Sequence, residues 1–229
     1  MNKKTFVIVF YFLSMFLARS SATQPFRLEV IVFDFGGVIA QADVTQMADF
    51  LMQSFKINKE ELSTALKNMQ DFISNGGSEK EYWQQYACSK QISLSNHWID
   101  EWATVIQKSI SDISGSKEIV IALQENGYQT AMLSDVTQYQ AEMIRKMGYY
   151  DLFSPVLLSY EIGLKKPDPE AFKKLLEKLH KPASSVIFID DRVENVNAAR
   201  DLGIDSIQFF NPEQLKRELV TRGIVLKND

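Results

Sequence analysis

The second half of the chain alternates short apolar runs with amphipathic helical patterns, and this alternation constrains the fold most strongly. Apolar runs at 128–134, 156–159, 186–189 and 206–209 alternate with helical patterns at 117–125, 138–147, 169–179 and 194–202. A last helix begins at Asn211 and Pro212. Strands that alternate with helices in this way form parallel sheets with helices on both faces. We therefore predict an α/β fold with a doubly wound parallel sheet.

One more strand and a long helical block precede this series. Residues 29–34 (EVIVFD) end in Asp34 and run into a glycine pair, as expected for a buried strand that enters a loop. Residues 45–110 have helical periodicity, and breaks at 75–77 and 93–95 divide them into about four helices; Asn58 and Glu61 predict an N-terminal cap. We expect residues 23–40 and 116–229 to form the α/β core. Residues 41–115 are then an inserted helical cap that covers the carboxyl ends of the strands.

The first 22 residues have the pattern of a secretory signal peptide. Lys3 and Lys4 precede an apolar run from Thr5 to Ala18, and small residues ending at Ala22 follow Arg19. The apolar run is shorter than the ~20 residues of a membrane span. We predict cleavage after Ala22 and export to the periplasm or the exterior. An uncleaved membrane anchor and a buried element of the fold are the two alternatives.

The composition excludes several classes of protein. A hydrophobic content of 45% is enough for a real core, and 25 basic against 29 acidic residues give a net charge of -4. This charge argues against a nucleic acid partner and against a cationic membrane-binding face. Cys88 is the single cysteine, so the chain builds neither an intrachain disulfide nor a cysteine-based zinc site. We expect no stable membrane insertion once the signal peptide is removed.

Polar groups stand at the ends of the predicted strands, at the edge where open parallel sheets bind ligands. Asp34 follows the first strand, Ser134 ends the second, Asp190 and Asp191 end the strand at 186–189, and Lys166 lies in a proline-containing loop. Each residue taken alone has a structural explanation as a helix cap, a turn residue or a solvated charge. Their arrival at one edge of the sheet predicts a shared functional site.

Four ordered motifs resemble those of the haloacid dehalogenase-like hydrolases over residues 29–229. The motifs are VIVFDFGGVI, AMLSD, GLKKPDPEAF and VIFIDDRVENVNAA. Their order and separations resemble the phosphatases of this superfamily whose helical cap is inserted after the first strand. The resemblance implies a Rossmann-like core and the hydrolysis of a small phosphorylated metabolite.

The resemblance also implies roles for individual residues. Asp34 is expected to attack phosphorus and form an aspartyl phosphate, and Lys166 to neutralise charge on the phosphoryl group. The expected cofactor is Mg²⁺, which prefers hard oxygen ligands. Its implied ligands are carboxylate oxygens of Asp34 and Asp191, the main-chain carbonyl of Gly36, and the nearby Asp190. The implied substrate-binding residues are Ser134, Gly37, Asp135 and Lys166.

Two positions depart from the pattern of the family. Gly36 stands where most of these phosphatases carry a second aspartate, which serves as general acid and then as base. Asp135 stands where asparagine is common, and a carboxylate beside a phosphate pocket is unfavourable unless it is paired. The missing acid keeps open a non-catalytic phosphate- or metal-binding or interaction protein. A 2-haloacid dehalogenase is a further alternative, although that metal-free reaction gains nothing from an acidic pair.

Overall fold

The computed structural model describes residues 29–226, so the predicted signal peptide lies outside the described residues. The strands are β1 (Val30–Phe33), β2 (Ala40–Ala42), β3 (Ile110–Asp112), β4 (Gln129–Ser134), β5 (Val156–Leu158), β6 (Val186–Asp190) and β7 (Asp205–Gln208). The α-helices are α1 (Val44–Phe55), α2 (Lys59–Ser74), α3 (Glu79–Ser89), α4 (Trp98–Ser109), α5 (Ser116–Glu125), α6 (Gln138–Lys146), α7 (Ser159–Ile162), α8 (Pro169–Leu179), α9 (Val193–Asp201) and α10 (Pro212–Thr221). Short 3-10 turns span Tyr149–Leu152 and Ala183–Ser185.

The central sheet has five parallel strands in the order β5-β4-β1-β6-β7. Ile31 and Phe33 of β1 pack on one face with residues of α5, α6 and α10. Val30 and Val32 pack on the other face with residues of α8 and α9. Successive residues of a strand point to opposite faces, so a strand covered on both sides is apolar throughout. The predicted doubly wound α/β fold is confirmed.

A short antiparallel ribbon that the sequence pattern did not predict lies at the base of the helical block. β2 pairs with β3 in the register Ala40 to Asp112 and Ala42 to Ile110. Three-residue strands are too short for a periodic pattern to show, and residue 110 had been included in the helical region. The strand expected at 156–159 was also one residue too long, because Ser159 begins the unpredicted helix α7.

Helices α1 to α4 form a helical block with its own core. The predicted cap at Asn58 is present as a reciprocal pair, in which the Asn58 side chain accepts from the Glu61 N–H and the Glu61 carboxylate accepts from the Asn58 N–H. Trp83 is fully buried, and Phe50 stacks on Trp102 with 5.6 Å between ring centroids. Aromatic packing thus holds the block together.

The block rests on helix α6 of the α/β core. Tyr139 Oη donates to the Ile99 carbonyl at 2.8 Å, and Met143 is buried among the side chains of the block. Within residues 29–226, no helix is both long enough and apolar enough to span a bilayer.

Candidate active site

The sheet register brings the predicted strand-end residues together. Phe33 is aligned with Met132 of β4 and with Ile189 of β6, so Asp34 lies one residue beyond them, between the ends of two neighbouring strands. Its N–H donates to the Ile189 carbonyl at 2.8 Å. Asp190 ends β6 beside it, and the buried Ser134 ends β4 on the other side.

Lys166 supplies the positive charge of this cluster. Its Nζ lies 2.8 Å from Asp34 Oδ1 and 2.7 Å from Asp190 Oδ2, and its side chain is 1% exposed. Burial alone would lower the pKa of Lys166, but the charges of Asp34 and Asp190 outweigh burial and the pKa is raised. The ammonium group therefore stays charged between two carboxylates. The ring of Phe188 lies 5.5 Å from Nζ and closes one side of the site.

Asp190 holds Lys166 in place. Asp190 is 0% exposed, and besides Lys166 it accepts hydrogen bonds from the Arg192 N–H and from Asn195 Nδ2, which lies 3.0 Å from each of its oxygens. Asn195 is a site residue that the sequence motifs did not indicate. Its signal in the sequence was weak: an amide on the buried side of α9, five residues after Asp190.

Two carboxyl groups at this edge, those of Asp34 and Asp191, are costly to ionise. Burial raises the pKa of Asp34 to about 6; Lys166 opposes this rise and the charge of Asp190 adds to it. Burial also raises the pKa of Asp191, and the charge of Asp190 contributes again. One ammonium group serves three neighbouring carboxyl groups, so the cluster retains an excess of negative charge when all three are ionised.

The donor atoms suit a hard divalent cation. One carboxylate oxygen from each of Asp34, Asp190 and Asp191 lies within 4.8 Å of the others. Oxygen-only sets of this kind match Mg²⁺. Gly37 leaves room for the Asp191 carboxylate, since a Cβ at position 37 would lie 2.4 Å from Asp191 Oδ2. The residues present therefore fit the predicted metal.

The two glycines after Asp34 have different structural requirements. Gly37 has a φ of 75° and its N–H donates to the Ala40 carbonyl at 2.9 Å, so glycine is needed there and the amide is engaged within the loop. A contact between Gly37 and substrate stays a prediction. Gly36 is exposed, lies outside the left-handed region, and a Cβ there would have no described atom within 4 Å. The local backbone therefore accepts a side chain at Gly36.

Asp135 is paired in a way that the sequence could not show. Its Oδ1 accepts a hydrogen bond from the main-chain N–H of Lys166 at 3.1 Å. Burial raises the pKa of Asp135, and the Lys166 charge opposes that rise. Asp135 thus connects the loop after β4 to the loop that carries Lys166. Its carboxylate is paired, which is the condition for placing a carboxylate beside a phosphate pocket.

A cleft of about 570 Å³ lies between the helical block and the core. Its walls include Gly76 to Lys80 and α4 on the side of the block, and the start of α6 with Tyr160 on the side of the core. Thr137 contributes to the wall three residues after Ser134. The cleft therefore begins close to the loop that follows β4.

Comparisons with known proteins identify the family of the chain. A family model described as haloacid dehalogenase-like hydrolase matches residues 31–209. The chain is 23% identical over 195 residues to the glyceraldehyde 3-phosphate phosphatase of Pyrococcus abyssi (80% of this chain, 81% of the relative). It is 24% identical over 208 residues to the D-ribitol-5-phosphate phosphatase of Bacteroides thetaiotaomicron (82% and 95%). A HAD family enzyme of Bacteroides thetaiotaomicron, solved with magnesium and inorganic phosphate, has the same fold, with a TM-score of 0.67 at 22% identity (80% and 95%).

Proposed function

This chain belongs to the haloacid dehalogenase-like hydrolases, and on that premise we propose that it is a magnesium-dependent phosphatase acting on a small phosphorylated metabolite. Helices α1 to α4 serve as its cap, in the manner of the subgroup whose cap follows the first strand. The observation that carries the proposal is the Lys166 ammonium, held between Asp34 and Asp190 beside a third carboxylate. The relatives that are named as phosphatases support the same reaction class.

Asp34 is the nucleophile of the proposed reaction. Its carboxylate attacks phosphorus, the bond from phosphorus to the leaving oxygen breaks, and water then hydrolyses the aspartyl phosphate. Lys166 neutralises negative charge on the phosphoryl oxygens, and the Ser134 hydroxyl donates to one of them. Asp190 keeps the Lys166 ammonium in position. Burial of these groups strengthens each electrostatic interaction relative to water.

The metal site is formed by Asp34, Asp191 and the carbonyl of Gly36, with Asp190 close by. When bound, Mg²⁺ neutralises charge on the phosphoryl oxygens and so allows an anionic nucleophile to approach an anionic substrate. Asp34 and Asp191 must be ionised to bind the metal. Because their pKa values are raised, protons compete with Mg²⁺ for these two carboxylates.

Hydrolysis of p-nitrophenyl phosphate with and without Mg²⁺ tests the proposal. This leaving group needs little protonation, so activity is expected even without an acid at position 36. Magnesium-dependent turnover that is lost in Lys166→Met, and retained in the exposed neighbour variant Lys165→Met, supports the phosphatase. Absence of turnover favours the non-catalytic alternative, and halide release from a 2-haloacid without metal favours the dehalogenase.

The rate should depend steeply on the acidity of the leaving group, because Gly36 offers no proton. Aryl phosphates and sugar 1-phosphates are expected to react much faster than alkyl phosphates. The open surroundings of Gly36 make Gly36→Asp a usable test, and Gly36→Asn is the matched control of the same size. A general acid contributes about 10²- to 10⁴-fold, so Gly36→Asp should accelerate alkyl phosphates selectively. If the chemical step limits the rate of the wild type and that rate does not depend on the acidity of the leaving group, another group supplies the proton.

The predicted location of the protein is a separate proposal. We propose that residues 1–22 direct export and are removed after Ala22. N-terminal sequencing of the protein from its native host tests this, since an intact Met1 on a membrane-bound protein supports the anchor instead.

A further inference from the structure

The helical block contains a buried carboxylate that the proposed reaction does not use. Glu79 is the first residue of α3 and is 4% exposed. Its Oε1 accepts a hydrogen bond from Trp102 Nε1 at 3.0 Å, within the block. Its Oε2 accepts one from Thr137 Oγ1 at 2.9 Å, across the boundary to the core. Each oxygen therefore has a donor, and the two donors belong to different parts of the molecule.

A carboxylate in this position has an energetic cost. Burial raises the pKa of Glu79, and the hydrogen bonds from Trp102 and Thr137 oppose that rise. The N-terminal end of α3 also favours negative charge. An amide or an apolar side chain at position 79 would avoid the cost of burying a charge. Packing of the helical block alone therefore does not account for a carboxylate at this position.

The partner of Glu79 in the core lies at the end of the loop that follows β4. Thr137 is the N-cap of α6, and its Oγ1 accepts from the Gln140 N–H while donating to Glu79. The same loop begins directly after Ser134 and contains Asp135, which accepts from the main-chain N–H of Lys166. Thr137 therefore lies three residues from Ser134 and two from Asp135, which the proposed function places at the phosphoryl group.

We propose that Glu79 is a positioning residue, which fixes the loop from Ser134 to Thr137 against the helical block so that the loop binds the phosphoryl group. The inference rests on the proposed phosphatase function. Glu79 acts through Thr137 and does not touch the reacting atoms. The bond from Tyr139 to Ile99 is a second attachment of α6 to the block, so loss of Glu79 loosens the start of α6 without detaching the block.

The central test is the binding of inorganic phosphate in the presence of Mg²⁺, measured by calorimetry and as inhibition of p-nitrophenyl phosphate hydrolysis. Glu79→Gln keeps the shape but replaces one acceptor oxygen with an amide that donates. We expect the phosphate dissociation constant to rise about tenfold, the size of one hydrogen bond to a charged group. The control Glu60→Gln removes an exposed glutamate from the first turn of α2 and should leave phosphate binding unchanged.

The Thr137 variants keep the inference falsifiable if Glu79→Gln folds poorly. Thr137→Ser retains the hydroxyl and should bind phosphate like the wild type. Thr137→Val removes both the bond to Glu79 and the cap of α6, so it should be at least as impaired as Glu79→Gln. The double variant should be no worse than Thr137→Val, because Glu79 acts on the loop through Thr137.

The outcomes separate this inference from the proposed function. If the wild type binds and hydrolyses phosphate esters while folded Glu79→Gln or Thr137→Val binds phosphate as well as the wild type, the inference on Glu79 is wrong and the phosphatase stands. Additive losses in the double variant also overturn it. A wild type that neither hydrolyses the ester nor binds phosphate overturns the phosphatase proposal itself.

Discussion

Replacing Lys166 with methionine is the most informative perturbation of the site. Methionine keeps the length of the side chain and leaves two buried carboxylates, Asp34 and Asp190, without their shared ammonium group. Removing one partner of a buried ion pair costs about 3–5 kcal/mol, because an uncompensated charge stays in the interior. We expect the free energy of unfolding at pH 7, without metal, to fall by about that amount.

The loss of stability should depend on pH. Without Lys166, the pKa of Asp34 rises above its value of about 6 in the wild type, so the folded variant binds protons that the unfolded chain does not. A carboxyl group whose pKa is raised by folding makes the protein less stable as pH rises. The difference from the wild type should therefore be largest at pH 8 and shrink towards pH 5.

Magnesium should restore part of the lost stability. A ligand that binds only the folded state adds about 2.7 kcal/mol at a concentration of 100 times its Kd. Mg²⁺ is expected to stabilise Lys166→Met more than the wild type, because it replaces a missing positive charge. Turnover should still fall at least about a hundredfold, the usual loss when a group that stabilises transition-state charge is removed.

Urea denaturation followed by far-UV circular dichroism measures these differences. Fluorescence is less suitable, because Trp83, Trp98 and Trp102 all lie in the helical block and report on the core only indirectly. Lys165→Met is the matched control, since Lys165 is exposed beside the buried lysine. A loss below about 1 kcal/mol at pH 8, or equal losses for both variants at every pH, would refute the charge-balance reasoning.

Three further predictions concern the carboxylates. Asp34→Asn should abolish turnover while the free energy of unfolding at pH 7 stays at or above that of the wild type, because the raised pKa of Asp34 shows that its charge is costly to bury; activity within a few fold of wild type contradicts its role as nucleophile. Asp191→Ala should raise the Mg²⁺ concentration for half-maximal activity at least about tenfold. Asp190→Ala should chiefly destabilise the fold, because Lys166 and Asn195 lose their partner. A larger shift of the Mg²⁺ titration in Asp190→Ala than in Asp191→Ala would make Asp190 the main metal ligand. The Mg²⁺ affinity measured by calorimetry should fall as pH drops from 7 to 5, by at least about tenfold per pH unit well below the pKa of Asp34, since metal binding displaces the proton of Asp34 and any proton on Asp191; a constant affinity over this range contradicts proton competition.

The sequence predicted the sheet and the meeting of polar residues at its edge, because both depend on local patterns. An apolar strand that ends in Asp34 or Asp190 marks the carboxyl edge of a parallel sheet, and the edge itself brings these residues together. The contact between Glu79 and Thr137 joins residues 58 positions apart and depends on how the helical block rests on α6. No periodic pattern encodes such a contact.

Other features escaped prediction for different physical reasons. β2 and β3 have three residues each, fewer than a repeating pattern needs. Asn195 lies in a helix whose pattern indicates only that one side is buried, so its bond to Asp190 became visible with the packing of α9 on the sheet. The lack of strain at Gly36 was equally hidden, because glycine in a sequence does not reveal its backbone angles.

The ribbon of β2 and β3 holds the two ends of the helical block side by side. The chain leaves the core at Ala42 and returns at Ile110, which is paired with it, and the Asp43 N–H donates to the Ser109 carbonyl at 2.7 Å. The two ends of the insertion are therefore separated by one strand spacing, about 5 Å. A tight hairpin turn of two residues spans that distance, and so does any folded unit whose termini lie side by side. We therefore expect that a replacement of the block by a unit of different size leaves the register of the five-stranded sheet unchanged.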